Sequence, residues 1–165
     1  MNADIHDESL HPSSLDRLDR RILDALQANG RISNQELAAQ VHLSPAQSNR
    51  RHKRLEAMGF IKRYEARLDA DRLGLGVTAF VHITMDRGQF KEVQKFQRNV
   101  GKMSQVLECY AVTGDFDYVC KVVARDLKAL SDFLLGTLAQ LPGVNGVRSS
   151  VCLNELKNTG ALPLD

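Results

Sequence analysis

Residues Arg31 to Arg63 read RISNQELAAQVHLSPAQSNRRHKRLEAMGFIKR, and this stretch decides the fold of the first part of the chain. It contains two capping-box spacings eleven residues apart, one beginning at Ser33 and one at Ser44, and each marks a helix start. Pro45 follows at the first helical position, where its missing N–H is not needed. Two short helices joined by a tight turn, the second rich in cations, predict a helix-turn-helix that binds DNA.

The second of these helices has an inward and an outward face. With about 3.6 residues per turn, Ser48, His52 and Leu55 share the face that should pack on the core. We expect Arg51, on the flank, to pair with an acid such as Glu36. The candidate DNA contacts are the cap residue and the outward face, namely Ser44, Ala46, Gln47, Arg50, Lys53 and Arg54.

Positive charge is concentrated around this helix. Between Arg31 and Arg67, eight Lys and Arg residues accompany three Glu residues, whereas the whole chain has a net charge of only +2. A solvated charged face would account for a basic helix alone, but it would not account for two helix caps at this spacing. Double-stranded DNA is therefore the expected partner.

The predicted DNA-binding domain covers residues 15–63. Asp16 caps an earlier helix whose apolar residues recur at helical spacing. Gly59 ends the recognition helix, and the alternating residues after it predict a small wing or a strand leading away. We assign residues 64–76 to a linker strand and hinge, because the glycines there mark the junction between the two halves. These glycines lack the spacing of a phosphate-binding loop.

Residues 77–153 show a different pattern, in which β-branched strands alternate with amphipathic helices. The predicted elements are a strand, a helix, two strands, a helix and a strand, at 77–85, 90–100, 106–113, 116–124, 127–141 and 144–153. This βαββαβ order is ferredoxin-like, so the fold class is α+β. Two helices cover one face of such a sheet. The other face is predicted to be apolar and to mediate dimerisation.

Composition narrows the class of protein further. The chain is 43% hydrophobic and 25% charged, as in globular proteins, and no apolar run approaches the roughly 18 residues of a membrane span. We predict a flexible tail at 1–14, too polar for a secretory signal, and a C-terminal tail at 154–165. Cys109, Cys120 and Cys152 lack a metal-binding spacing, so we expect reduced thiols within strands, as in cytoplasm.

Several motifs together resemble the Lrp/AsnC family, the feast/famine or leucine-responsive regulators of bacteria. They are LDRLDRRILDALQANGRISNQELA from Leu15, LSP with RRHKRLE and GFI at the recognition helix, GDFDY from Gly114 and LPGV from Leu141. The resemblance extends from Leu15 to about Leu164. It implies a cytoplasmic, nucleoid-associated transcription regulator that responds to an amino acid. It also implies homodimers that assemble into higher oligomers, commonly octamers.

The resemblance further implies an effector site at the turn between the second and third strands, opposite the last strand. The matching positions are Thr113, Gly114, Asp115, Asp117, Ser149 and Ser150. A carboxylate suits an α-amino group, and a glycine turn leaves N–H groups open to an α-carboxylate. Asp117 has an equally acceptable structural role, holding the turn through the backbone. The expected effector is leucine or another apolar amino acid.

Two other classes of function compete with this reading. A nucleoid-associated protein that organises DNA would share the basic helix but would ignore metabolites. An enzyme on the ferredoxin-like half is disfavoured, because no motif places a nucleophile beside a base and His82 is the only histidine there. We therefore predict no catalytic residues, no metal, no cofactor and no membrane partner.

Overall fold

The computed structural model describes residues 15–86 and 90–164, so the predicted flexible tail at 1–14 lies outside the described residues. The chain divides into two compact units. The first extends to Arg67 and also takes the C-terminal segment from Lys157, and the second spans Leu68–Leu156.

The first unit consists of three helices, α1 (Arg17–Ala28), α2 (Asn34–Val41) and α3 (Pro45–Ala57). The predicted caps are confirmed, because Asp16, Ser33 and Ser44 each close a capping box. The turn from α2 to α3 passes through His42, whose φ of 57° lies in the left-handed region and reverses the chain within a few residues. The apolar sides of the helices enclose a core of Ile22, Leu23, Ala25, Leu26, Leu37, Val41 and Leu55.

A buried carboxylate joins the first helix to the third. Asp19 on α1 has a side chain that is 0% exposed, and it accepts hydrogen bonds from Arg51 Nη1 at 2.8 Å and from Arg54. Arg51 also contacts Asp16 at 2.7 Å. Arg51 therefore pairs with acids, as predicted, but they are Asp16 and Asp19 and not Glu36. Glu36 instead bonds to the Ser33 N–H at 2.9 Å and caps α2.

The segment that follows α3 is attached to that helix through one tyrosine. Gly59 has a φ of 75° and ends α3 as predicted, but residues 60–69, all described, form no strand. The Tyr64 hydroxyl donates to Glu56 Oε1 at 3.0 Å and lies 2.5 Å from His52 Nε2. His52 is therefore half-buried against this segment and is not part of the core, in contrast to the helical-wheel prediction.

The C-terminal segment, expected to be a tail, is partly packed on the first unit. The Gln27 amide donates to the Leu162 carbonyl at 3.1 Å and accepts from the Leu162 N–H at 2.6 Å. Leu164 packs against the helical core. The segment that begins at Lys157 thus completes the first unit.

The second unit has the predicted ferredoxin-like order. Its elements are β1 (Val77–Met85), α4 (Phe90–Val100), β2 (Val106–Ala111), β3 (Tyr118–Ala124), α5 (Leu127–Gly136), a 3-10 turn (Leu138–Gln140) and β4 (Val144–Val151). The strands form one antiparallel sheet in the order β2-β3-β1-β4. One face meets the helices in a core that includes Val81, Ile83, Phe96, Cys120, Val122, Phe133 and Leu138.

Element ends differ from the predictions in three places. Helix α5 ends at Gly136 and not at Leu141, because glycine and the β-branched Thr137 are poor helix formers and the chain continues as a 3-10 turn. The β2–β3 connection spans residues 112–117 and is not a two-residue hairpin. The last strand stops at Val151, two residues early.

Asp19 and its partners Arg51 and Arg54 form a clamp between α1 and α3. This clamp predicts the effect of a single substitution. Asp19→Asn should lower the free energy of unfolding by about 1–3 kcal/mol, because two guanidinium groups lose their charged partner while remaining partly hydrated. Urea unfolding of wild type and variant measures this change. Asp24→Asn, on the exposed side of α1, is the matched control and should change stability by less than about 0.5 kcal/mol. Equal stability of Asp19→Asn and wild type would contradict the clamp.

Candidate nucleic-acid interface and effector site

The outward face of α3 is exposed as the sequence predicts. Ser48 and Leu55 are fully buried beneath the helix, which fixes its rotation about its own axis. The side chains on the opposite side are exposed, namely Ala46, Gln47, Asn49, Arg50, Lys53 and Arg54. The helix is therefore buried along one stripe and presents a small residue, amides and cations along the other. A helix of this kind can enter a major groove.

The start of α3 restricts which groups Ser44 and Gln47 can offer to DNA. The Ser44 hydroxyl accepts from the Gln47 N–H at 3.3 Å, and Gln47 Oε1 accepts from the Ser44 N–H at the same distance. Gln47 Oε1 also accepts from the Ser44 hydroxyl at 3.1 Å. Only the amide N–H₂ of Gln47 therefore remains available, so Gln47 can donate to a base edge but its oxygen is committed to the cap.

The three cations of the outward face are not equivalent. Within the part of the chain that the structure describes, Arg50 and Lys53 form no ion pair, so both are available to phosphate or base edges. Arg54 is 48% exposed but its guanidinium already bonds Asp19. Arg51 is held by Asp16 and Asp19, and those bonds raise its pKa above the ordinary value. Arg50 and Lys53 are thus the freest DNA contacts, and Arg54 also has a structural role.

The predicted effector turn is a loop of six residues, 112–117, which is anchored at its base. The Asp117 carboxylate accepts from the Met85 N–H at 2.7 Å, and the Asp117 N–H donates to the Ile83 carbonyl at 2.9 Å. The structural alternative for Asp117 is therefore the one observed. Thr113, Gly114 and Asp115 are exposed at the tip of the loop, and Gly114 has a φ of 113° that favours glycine.

Three residues outside the predicted effector site hold this loop against the sheet. The Phe116 ring lies 4.7 Å from the His82 ring, centroid to centroid, and the Arg148 guanidinium carbon lies 5.9 Å above the Phe116 ring. His82 and Arg148 are directly opposed on β1 and β4. The alternation of inward and outward residues along β1 could have predicted that His82 lies on the outer face. Its contact with Phe116 could not be predicted, because that contact depends on the path of the loop.

The two serines of the last strand are divided between the faces of the sheet. Ser149 is opposite Val81, whose side chain is in the core, whereas Ser150 is opposite the exposed Phe80. Because successive strand residues point to opposite faces, a site on one face takes only one of these hydroxyls. Ser150 shares the outer face with Arg148 and the anchored side of the loop.

The described residues, 15–86 and 90–164, contain no group of three or more His, Cys, Asp or Glu side chains placed to hold a metal ion. No helix in this described portion is long and apolar enough to cross a bilayer.

These features define a class of protein, a DNA-binding transcription regulator with a separate ligand-binding domain. Family models agree with both halves: a winged helix-turn-helix DNA-binding model matches residues 15–62, and an Lrp/AsnC ligand binding domain model matches residues 78–162. The chain belongs to the Lrp/AsnC family of transcription regulators.

Individual relatives are similar over nearly the whole chain. The leucine-responsive regulatory proteins of Escherichia coli K12 and Salmonella typhimurium are 43% identical over 148 residues, covering 90% of this chain and 90% of theirs. A transcriptional regulator from Neisseria meningitidis, solved as a complex with L-Met, has a TM-score of 0.89 and 39% identity, covering 92% of this chain and 97% of its own. These relatives are regulators, in agreement with the prediction that the chain is not an enzyme.

The unequal roles of the α3 cations predict different behaviour for two alanine variants. Arg50→Ala should leave thermal stability unchanged. It should weaken DNA binding by about 1–3 kcal/mol if Arg50 reads a base, or lower the salt slope by about one unit if it contacts phosphate. Arg54→Ala should weaken DNA binding and also lower the melting temperature, because Asp19 loses a partner.

Fluorescence anisotropy over a salt series, on a duplex selected from a random library, measures the DNA affinity and the salt slope. Thermal unfolding measures the melting temperature. Lys128→Ala, at an exposed position of α5, is the control and should leave affinity and slope unchanged. If Arg50→Ala binds as wild type at every salt concentration, the assigned DNA-binding face is wrong.

Proposed function

We propose that this chain is a sequence-specific transcription regulator whose assembly or DNA affinity responds to a small apolar amino acid. The observation that carries the proposal is the exposed, cation-rich face of α3, present in the same chain as a separate ligand-binding domain. The names of the relatives support the effector class, since similar chains are called leucine-responsive and one was solved with L-Met. DNA in the bacterial cytoplasm is the partner that this function requires.

The effector is proposed to bind at the tip of the 112–117 loop. Asp115 supplies an exposed carboxylate for the α-amino group. The backbone around Gly114 is open to an α-carboxylate, because glycine there carries no side chain and adopts a positive φ. Asp117 is occupied by the Met85 N–H and therefore shapes the loop. Arg148 and Ser150 provide polar groups on the neighbouring face of the sheet.

The outer face of the sheet is proposed to be the dimer interface, from which larger assemblies such as octamers are built. Phe80 is 44% exposed at the middle of β1, and Tyr110 on β2 is also exposed. Glu108, Lys121 and Arg148 lie on the same face according to the register, so the surface is mixed and not uniformly apolar as the sequence suggested. Opposite charges around an aromatic centre suit a self-complementary contact between two copies.

An amino-acid panel tests the effector proposal. A ligand that binds only the folded protein raises its melting temperature, by an amount that corresponds to about 2.7 kcal/mol at a hundred times the Kd. We expect L-leucine, L-methionine or another apolar amino acid to raise it. Asp115→Asn should abolish the shift and leave DNA binding without effector intact.

Asp132→Asn on α5, another exposed acid, should respond as wild type. Absence of any change in melting, assembly or DNA affinity with all twenty amino acids would favour a DNA-organising protein without a metabolite response.

The dimer interface has its own test. Phe80→Glu places a charge at the centre of the outer face, and sedimentation velocity should then show a smaller species than wild type. Leu135→Glu, at an exposed position of α5, is the matched control and should sediment as wild type. If both variants keep the wild-type assembly, the dimer forms through another surface.

A further inference from the structure

Two cysteines face each other in the outermost strand pair of the second unit. Cys109 on β2 is directly opposite Cys120 on β3, and their Sγ atoms are 3.1 Å apart. Opposed residues in an antiparallel ladder have Cα atoms about 4.5–5.5 Å apart, within the roughly 4.4–6.8 Å range of disulfides. A bond of about 2.05 Å requires the sulfurs to approach by only about 1 Å.

We propose that Cys109 and Cys120 form a thiol–disulfide switch that a peroxide closes. The sequence alone predicted reduced thiols within strands, and it could not reveal that the two side chains are opposed. In a reducing compartment a disulfide of this kind is transient, and transient disulfides there are sensing or catalytic more often than structural.

The two thiols have different accessibility, which assigns their order of reaction. Cys109 is exposed and lines a groove of about 450 Å³ between α4 and β2, together with Gln97, Val100 and Tyr118. Cys120 is fully buried beside it. The groove lies on the helix-covered face of the sheet, because Cys109 shares the side of the core residue Cys120. A second copy on the outer face would therefore leave it open.

Hydrogen bonding supports the same order. The Cys120 thiol donates to Cys109 Sγ, and this bond lowers the pKa of Cys109 below the ordinary thiol value. The same bond, with burial, raises the pKa of Cys120. Since the thiolate is the nucleophile, Cys109 reacts first and Cys120 acts as the resolving thiol.

The reaction is balanced with one peroxide for each disulfide. The Cys109 thiolate attacks one oxygen of hydrogen peroxide, the O–O bond breaks, and the released hydroxide takes up a proton to become water. Cys109 is then a sulfenic acid. The Cys120 sulfur loses its proton and attacks the Cys109 sulfur, and the displaced hydroxide leaves as a second water. Two thiols lose two electrons, and the peroxide is reduced to two waters.

The position of the bond couples it to the effector loop, and this part of the inference rests on the proposed function. Cys109 lies two residues before the end of β2 and Cys120 two residues after the start of β3. The bond therefore closes a ring around the loop of residues 112–117. Cross-linking both ends of a short segment restricts the conformations that the segment can adopt. Oxidation should change the affinity for an amino acid bound at the loop tip.

Peptide mapping of the full chain tests the switch. The reduced protein is treated with hydrogen peroxide, free thiols are alkylated, and the digest is analysed without reduction. We expect a Cys109–Cys120 link that dithiothreitol reverses, with Cys152 still alkylated. Cys152→Ser is the matched control and should form the link, whereas Cys109→Ser should leave Cys120 unoxidised. Because Cys109 is exposed, this variant tests the proposal without disturbing the core.

Three results would overturn the switch: unreacted thiols, a link from Cys109 to Cys152 or to a second chain, or Cys109 carried to sulfinic acid without a link. L-methionine titrations of reduced and oxidised protein test the coupling, where we expect the apparent Kd to change about five-fold or more. A link that leaves the titration unchanged refutes the coupling. If no amino acid binds the reduced protein, the proposed function fails while the peptide map still decides the switch.

Discussion

The buried carboxylate of Asp19 sets the orientation of the surface that is proposed to read DNA. An ionised carboxylate removed from water is unstable unless it is paired and hydrogen-bonded, so the fold of the first unit has to bring Arg51 and Arg54 to it. Both arginines are on α3, and Asp19 is part of the cap of α1. Together with the burial of Ser48 and Leu55, the pairing therefore fixes the rotation of α3 against α1. Arg50 and Lys53 point to solvent because their neighbours on the helix are held.

This dependence also marks the limit of what the sequence could predict. Helical periodicity and capping chemistry are local, and they predicted the three caps, the buried Leu55 and the outward Arg50. The ion pairs join residues about thirty-five positions apart, a separation on which periodicity carries no information. Glu36 was consequently named as a partner of Arg51 in place of Asp16 and Asp19. The structural role of Arg54 was not predicted. A helical wheel predicts the direction in which a side chain points. The residue with which that side chain pairs is known only from the tertiary structure.

The second unit shows the same division between local and long-range information. The β-branched composition of residues 77–85 predicted both bounds of β1, and the order of elements predicted the ferredoxin-like fold. The path of the 112–117 loop was not predictable, because it depends on the Met85 N–H bonding to Asp117 and on the Phe116 ring packing against His82. Residues 157–164 lie within the segment 154–165 that was predicted to be a tail. Their contact through Gln27 again joins distant parts of the chain.

The loop of the second unit combines a fixed base with a free tip, and this has a thermodynamic consequence. Asp117 and Phe116 restrain the base, so an effector at Asp115 and a disulfide at Cys109 and Cys120 would act on one short segment. Linkage requires the effect to be reciprocal. If oxidation strengthens effector binding by some free energy, the effector favours the disulfide by the same amount. A saturating amino acid would then shift the reduction potential of the cysteine pair, so neither signal could be sensed independently of the other.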